Sequence, residues 1–170
     1  MFCLIGYMGA GKSYLSNYMA DNSDWKVADL DNYIVEKEGA TILEMMQNSE
    51  AYFRKLESAY LQEITTSDFD LVSLGGGTAC SEENWKIIKK KYTSIYLKWS
   101  VDTLFERLKH DKADRPLIAH FSDEDLKEFI QKSLNEREAF YTRADIIFDG
   151  DHQTLEELTA ILSNYAIRKG

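Results

Sequence analysis

The run Gly6-Tyr7-Met8-Gly9-Ala10-Gly11-Lys12-Ser13 fits the pattern G-x-x-x-x-G-K-[ST], whose residue types together make a phosphate cradle. Glycines let successive backbone N–H groups turn inward around an anion, and the start of a following helix adds partial positive charge. Lys12 can reach the β- and γ-phosphates of a nucleotide, and the Ser13 hydroxyl can ligate Mg²⁺. An apolar strand, Phe2–Ile5, precedes the run and an amphipathic stretch follows it, which is the context the mechanism requires. The motif implies nucleotide binding but not yet a reaction. No asparagine is followed by lysine, so an Asn-Lys-x-Asp guanine-reading signature is absent and a GTP switch is disfavoured. A nucleotide-binding module without catalysis stays open at this point.

A second group of chemistry-bearing residues closes the next strand, Lys26–Asp29. Asp29 and Asp31 fall where the carboxyl ends of strands line the ligand crevice of an open α/β sheet. Their i, i+2 spacing can put both on one side of an extended segment. Beside a Mg-nucleotide, one carboxylate can organise the metal's water shell and the other can take a proton from an attacking hydroxyl. A turn with a helix N-cap before Asn32 would use the same residues. Further on, Arg54 and Glu57 are i, i+3 neighbours, a spacing that a plain surface ion pair also satisfies. Arg137 lies three residues after Leu134 and seven after Ile130, on or beside an apolar helix face. A bound anion or a buried carboxylate partner would explain a charge there. Gly75-Gly76-Gly77 directly follows another strand, Leu71–Leu74, and permits close backbone approach to a small molecule or a tight turn.

The elements that must position these groups alternate along the chain. Five short runs read as strands: Phe2–Ile5, Lys26–Asp29, Leu71–Leu74, Ser94–Leu97 and Asp145–Phe148. Between them, apolar residues recur at helical spacing: Leu15, Tyr18 and Met19; Phe53, Leu56, Tyr60 and Ile64; Leu126, Phe129, Ile130 and Leu134; and Leu155, Leu158, Ile161, Leu162 and Tyr165. Thr41 with Glu44 and Thr154 with Glu157 are spaced as capping boxes, and Ser100 and Ser122 can cap the helices that follow them. Such alternation predicts an α/β fold of three layers, a parallel sheet of about five strands flanked by helices. With no repeat or linker, residues 1–170 read as a single domain. Residues 109–125 are dense in charge, hold His110 and His120, and contain the single proline, Pro116. They read as a mobile surface flap.

Composition narrows the function classes. The chain has 170 residues, 29 acidic against 20 basic, and a net charge of −9. A nucleic-acid binder shows the opposite balance, so that partner is not expected. Any phosphate site must be built locally. There is no long apolar run and no basic, cleavable leader at Met1–Gly6, so a cytoplasmic protein without a membrane partner is expected. Cys3 and Cys80 are too few for a disulfide framework and read as reduced. His110, His120 and His152 form no metal-spaced cluster, and Trp25, Trp85 and Trp99 are not grouped as a base-stacking platform.

Taken together, the phosphate loop, Asp29-Leu30-Asp31, Phe53-Arg54-Lys55-Leu56-Glu57, Gly75–Gly77, Arg115-Pro116-Leu117 and Glu136-Arg137 with Tyr141 stand in order along the chain. With that set the chain resembles a shikimate kinase. The resemblance implies a P-loop kinase fold and transfer of the ATP γ-phosphoryl group to shikimate, with Mg²⁺ as cofactor. It implies ATP binding by Gly9, Ala10, Gly11, Lys12, Ser13 and Tyr14, with Arg107 and Arg115. Asp31 would bind the shikimate hydroxyls and serve as candidate base, and Asp29 would hold Mg²⁺ through water together with Ser13. Arg54 and Arg137 would grip the substrate carboxylate, Glu57 would orient Arg54, and Gly75, Gly76 and Gly77 would line the ring. Arg115, with Lys12, would act on the transferring phosphate from a lid at about 109–125. The substrate-binding helical segment would span about 31–62. Adenine would lie between the segment near Arg107 and the loop after Phe148. Tyr14 departs from the second Ser/Thr common at that position. A related kinase acting on another hydroxylated acid, such as gluconate, is the nearest rival, and a monomer is expected.

Overall fold

The computed structural model describes residues 1–112, 115 and 117–169, with side chains through 164. Pro116 and the Tyr165 side chain, both singled out above, lie outside the described residues.

Strand β1 (Phe2–Ile5) leads through the glycine-rich loop into α1 (Lys12–Asn22), and β2 (Val27–Asp29) leads into α2 (Leu30–Glu38) and α3 (Ile42–Ile64). Then β3 (Leu71–Ser73), α4 (Glu82–Lys91), β4 (Thr93–Lys98), α5 (Val101–His110), α6 (Asp123–Tyr141), β5 (Ile146–Asp149) and α7 (Leu155–Lys169) follow. All strand pairs are parallel, in the order β2-β3-β1-β4-β5. The strand bounds differ from the sequence expectation by a residue at most ends. Burial explains the order. Every residue of β1 and β3 is buried, as helices on both faces of a parallel sheet demand, whereas β2 and β5 are the partly exposed edges.

The order reverses between β1 and β3, so their connections leave toward opposite sides and open a crevice at the carboxyl ends of the strands. Gly6, Asp29 and Leu74 all reach that rim. The expected caps are present. Thr41 and Glu44 form a reciprocal capping box, Thr154 and Glu157 exchange the same pair of hydrogen bonds, and Ser100 and Ser122 cap α5 and α6. The sequence pattern did not show a break in α3. Ser49 adopts φ −168°, ψ 111° inside it, and its hydroxyl accepts from Tyr52 N–H, so residues 50–64 start as a separately capped helix.

The flap expected at 109–125 is tied to the body at its far end. Ile118 is fully buried, the Phe121 ring packs on Phe129 of α6, and Lys12's distant namesake Lys112 donates to Phe121 O and Asp123 Oδ1. Truncating a buried isoleucine removes its transfer energy and leaves a cavity. Ile118→Ala is expected to lower unfolding stability by about 2–4 kcal/mol in urea titration. A change below about 0.5 kcal/mol would show that this segment leaves the core before global unfolding.

Candidate active site

The site begins where β1 ends. Gly11, the N-cap of α1, has φ 87°, a left-handed conformation costly for any residue with a Cβ. No side chain caps α1 and no acidic residue stands in its first turn. Its N-terminal amides are therefore left for a ligand, and an anion suits them. Lys12 Nζ donates to Gly6 O at 2.9 Å and Tyr7 O at 3.0 Å. Burial draws its pKa down to about 8, while Asp31 and Asp29 pull it upward. A lysine held in this way is a poorly hydrated cation that gains by meeting phosphate.

Asp29 uses its two carboxylate oxygens separately. Oδ1 accepts from the backbone N–H groups of Asp31 and Asn32, capping α2, and Oδ2 accepts from the Ser13 hydroxyl at 3.0 Å. The helix-cap reading of this residue is thus realised, and the two expected metal-facing groups, Asp29 and Ser13, are adjacent. An accessible pair of hard oxygen donors suits Mg²⁺, which keeps several waters and takes the rest of its shell from phosphates. Among the described residues no group of three or more His, Cys, Asp or Glu could hold a metal, so the pair fits an ion that arrives with a nucleotide.

Asp31, in the first turn of α2, points into the cleft. Burial, then the nearby charges of Asp29 and Glu57, raise its pKa to about 6, against the opposing pull of Lys12 and Arg54. A carboxylate poised near neutrality is suited to accept a proton.

Around Gly75–Gly77 the remaining groups converge. Glu57 is only 2% exposed. Its carboxylate accepts from Arg54 at 3.0 Å and from the Thr78 hydroxyl at 2.6 Å. The surface-pair reading of Arg54–Glu57 is therefore set aside. The buried acid holds the guanidinium in place, and Glu50 reaches its other side at 3.3 Å. A Cβ on Gly77 would lie 2.7 Å from Arg54 Nη1, and one on Gly75 2.6 Å from Asp31 Oδ1. Side chains cannot be accommodated at either place without displacing a site residue.

Arg137 is delivered by α6, which docks through two tyrosine contacts. Tyr7, just after β1, shares a hydrogen bond with Ser133, and Tyr141 donates to Gly76 O. Between them the Arg137 guanidinium lies over the Tyr7 ring, 5.4 Å from its centroid. It is half-buried and, among the described residues, has no carboxylate in ion-pair range. The buried carboxylate partner, one of the two explanations offered by its helix position, is not found among the described residues.

Two cavities flank Gly75–Gly77. One, of about 590 Å³, holds the phosphate loop, Asp29, Asp31, Gly75, Gly76 and Arg115 on its walls. The other, of about 870 Å³, is lined by Arg54, Glu57, Gly77 and Arg137. Arg115 faces Lys12 closely enough to oppose its charge, and among the described residues its ion-pair contact is a long one to Asp111, at 3.9 Å. Every expected site residue thus lies on one of two adjoining cavities separated by a triple-glycine strip.

Comparison with known proteins decides the family. The family profile described as "Shikimate kinase" matches residues 8–166. The chain belongs to the shikimate kinase family. A shikimate kinase of Flavobacterium johnsoniae is 39% identical over 157 residues, covering 91% of each chain, and one of Parabacteroides distasonis is 35% identical over 162 residues, covering 95% of this chain and 94% of its own. Among solved structures, a shikimate kinase from Bacteroides thetaiotaomicron superposes with a TM-score of 0.87 at 33% identity, covering 95% and 97% of the two chains. A shikimate kinase from Acinetobacter baumannii in complex with shikimate superposes with a TM-score of 0.84 at 25% identity, covering 99% and 93%. The protein is therefore an ATP-dependent kinase with the P-loop kinase fold.

Two further positions stand on the wall of the first cavity. Tyr14 is 68% exposed there; nothing in the structure explains its replacing a smaller hydroxyl residue. The Trp99 ring lies under Arg107 and against Phe148 and Gly150, and the same cavity is lined by Arg107, Trp99, Phe148 and Gln153. Trp99 was passed over in the sequence because it is isolated from the other tryptophans. The signal available was its position directly after β4, at the ligand edge of the sheet.

The raised pKa of Asp31 carries a consequence for stability. Between the ordinary carboxylate range and about pH 6 the folded chain binds more protons at Asp31 than the unfolded chain. Its contribution is therefore favourable below that window and is lost as pH rises through it. Asp31→Asn, which never ionises, is expected to be more stable than the parent at pH 7.5 by about 1–3 kcal/mol. The advantage should shrink towards zero near pH 4. Chemical denaturation at both pH values checks this, and a less stable variant at pH 7.5 would refute the strained ionised state.

Proposed function

We propose that this shikimate kinase transfers the γ-phosphoryl group of ATP to the 3-hydroxyl of shikimate, giving ADP and 3-phosphoshikimate, as a step toward chorismate and the aromatic amino acids. The observation that carries the reading is the adjoining pair of cavities. A phosphate-binding loop with Lys12, Asp31 and Arg115 stands on one side of the glycine strip, and two arginines suited to one carboxylate stand on the other.

In this reading the P-loop amides from Gly9 to Tyr14 and Lys12 hold the β- and γ-phosphates. Arg54 and Arg137 bind the substrate carboxylate by charge-assisted hydrogen bonds. Glu57 keeps Arg54 oriented, and Gly75, Gly76 and Gly77 let the ring approach the backbone. Asp31 then faces the ring hydroxyls, fixes the acceptor in line with the phosphate and takes up its proton. Ser13 and, through water, Asp29 hold Mg²⁺, which supplies charge neutralisation on the phosphate oxygens. Arg115, on a lid at about 109–125, stabilises the transferring group and helps exclude water. The segment 31–62 supplies most of the substrate contacts. The protein is read as a cytoplasmic monomer without a membrane partner, and its net charge of −9 argues against a nucleic-acid partner.

The test is ADP release with shikimate, with gluconate and with neither. Turnover should depend on shikimate, with little idle hydrolysis; equal release without acceptor, or a preference for gluconate, would overturn the assignment. A second measurement isolates the carboxylate grip. Arg137→Ala should weaken shikimate binding by about ten- to a hundredfold, the equivalent of roughly 1.5–3 kcal/mol, while ATP binding stays within a few-fold. Calorimetry that finds shikimate affinity intact in the folded variant would make Arg137 a structural residue.

A further inference from the structure

Trp99 has no part in the roles assigned so far, yet it is the most constrained side chain at the outer end of the nucleotide cavity. Its indole N–H donates to Ala10 O, inside the phosphate loop, at 2.9 Å. Its ring meets Phe148 edge-on at 6.4 Å between centroids. The space for the ring exists because residue 150 is glycine: a Cβ there would lie 2.3–2.5 Å from three carbons of the indole. The loop that carries Gly150 is itself clamped. Gly150 N–H donates to Lys98 O, and the Asp151 carboxylate accepts from Ser100 N–H and the Thr103 hydroxyl at the start of α5. The indole therefore sits in a rigid frame made by the phosphate loop, the end of β5 and the start of α5.

On that frame lies Arg107. Its guanidinium carbon is 3.7 Å from the Trp99 ring centroid, a face-on cation–π contact. One nitrogen reaches Gly9 O at 3.3 Å. Among the described residues no carboxylate pairs with Arg107, although it is half-buried on the cavity wall. One face of the cation is covered by the indole, and its nitrogens line the cavity that the phosphate loop closes. A planar, delocalised cation fixed at that spot offers a stacking surface to an aromatic ring, and a guanidinium prefers such faces to an ammonium's point contacts.

We propose that Trp99 is a positioning residue for the nucleotide base: it backs the Arg107 guanidinium so that the cation's open face stacks on the purine, and through Ala10 it sets that face at a fixed height above the phosphate loop. The inference rests on the reading of Arg107 as a nucleotide residue. It adds a layered arrangement of indole, guanidinium and base on the Arg107 side of the cavity. Loss of the indole frees Arg107 and takes one hydrogen bond from the Ala10 carbonyl, while Lys12 and the residues around Gly77 keep their own contacts.

Steady-state kinetics of Trp99→Leu, Trp99→Phe and Arg107→Ala, with inorganic tripolyphosphate as a baseless competitor of ATP, tests it. Trp99→Leu should raise KM for ATP about five- to tenfold, the size of a partly desolvated cation–π contact. The tripolyphosphate inhibition constant and KM for shikimate should each stay within about twofold. Trp99→Phe keeps a ring under Arg107, so its KM for ATP should stay within about threefold. ADP should change the tryptophan emission of the parent, and that variant should lose the change, since Trp85 is sealed in the core and Trp25 stacks on Phe2. Equal weakening of ATP and tripolyphosphate in Trp99→Leu would mean the indole only props the loop, and the proposal fails. An unchanged KM for ATP in Trp99→Leu, with a raised one in Arg107→Ala, also overturns it while leaving Arg107 in place. If neither variant shifts KM for ATP, the reading of Arg107 is wrong as well. An ADP-induced emission change that persists in Trp99→Phe would likewise count against the proposal.

Discussion

Two anions have to be held side by side by a protein whose own charge is −9, and the site is organised around that constraint. Long-range attraction is unavailable, so cations must be gathered locally and kept from one another's repulsion. The fold does this with two half-buried or buried carboxylates. Glu57 fixes Arg54 by a direct ion pair, and Asp31 lies in the field of both Lys12 and Arg54. Arg137 and Arg107 are handled differently, each laid on an aromatic ring. Ring faces attract a cation without neutralising it, so both guanidinium groups keep their charge available to an incoming ligand. Lys12 rests on two backbone carbonyls for the same reason.

Much of this was legible in the sequence wherever the determinants are local. The strands, the caps of α3, α5, α6 and α7, and the phosphate loop are all written in short patterns of polarity, hydroxyl spacing and glycine, and the structure places them within about a residue. Arg137 was readable because a charge on an apolar helix face is anomalous in itself. The state of Glu57 was not. Its i, i+3 spacing from Arg54 is the same in a surface pair as in a buried one, and the difference is made by Thr78, which only the closed fold brings near. Trp99 escaped notice for a similar reason: its partners Ala10, Arg107 and Gly150 come from three separate stretches of chain. The break at Ser49 left no periodic mark because apolar spacing resumes on either side of it, although the polar run Gln47-Asn48-Ser49 is weak helix material.

The aromatic content of the site also explains how α6 can be both support and functional element. Tyr7 and Tyr141 spend their hydroxyls on Ser133 and Gly76 O, and the Tyr141 ring packs against Tyr96 at 5.1 Å. Tyr96 in turn donates to Glu138 on the same helix. The turn that carries Arg137 is thus held from both ends by buried hydrogen bonds. Burial raises the pKa of Tyr7, Tyr96 and Tyr141, which favours their neutral phenols.

The divided carboxylate of Asp29 sets a ruler. One oxygen is bound to the amide of Asp31 and the other to the Ser13 hydroxyl, so the spacing from the Ser13–Asp29 pair to the Asp31 carboxylate is fixed by two residues of backbone at the first turn of one helix. It does not depend on how the distant parts of the fold are arranged. Insertions in the turn after Ile64, or a longer α2, leave that spacing untouched, whereas a single residue added between positions 29 and 31 would turn the Asp31 carboxylate out of the cleft.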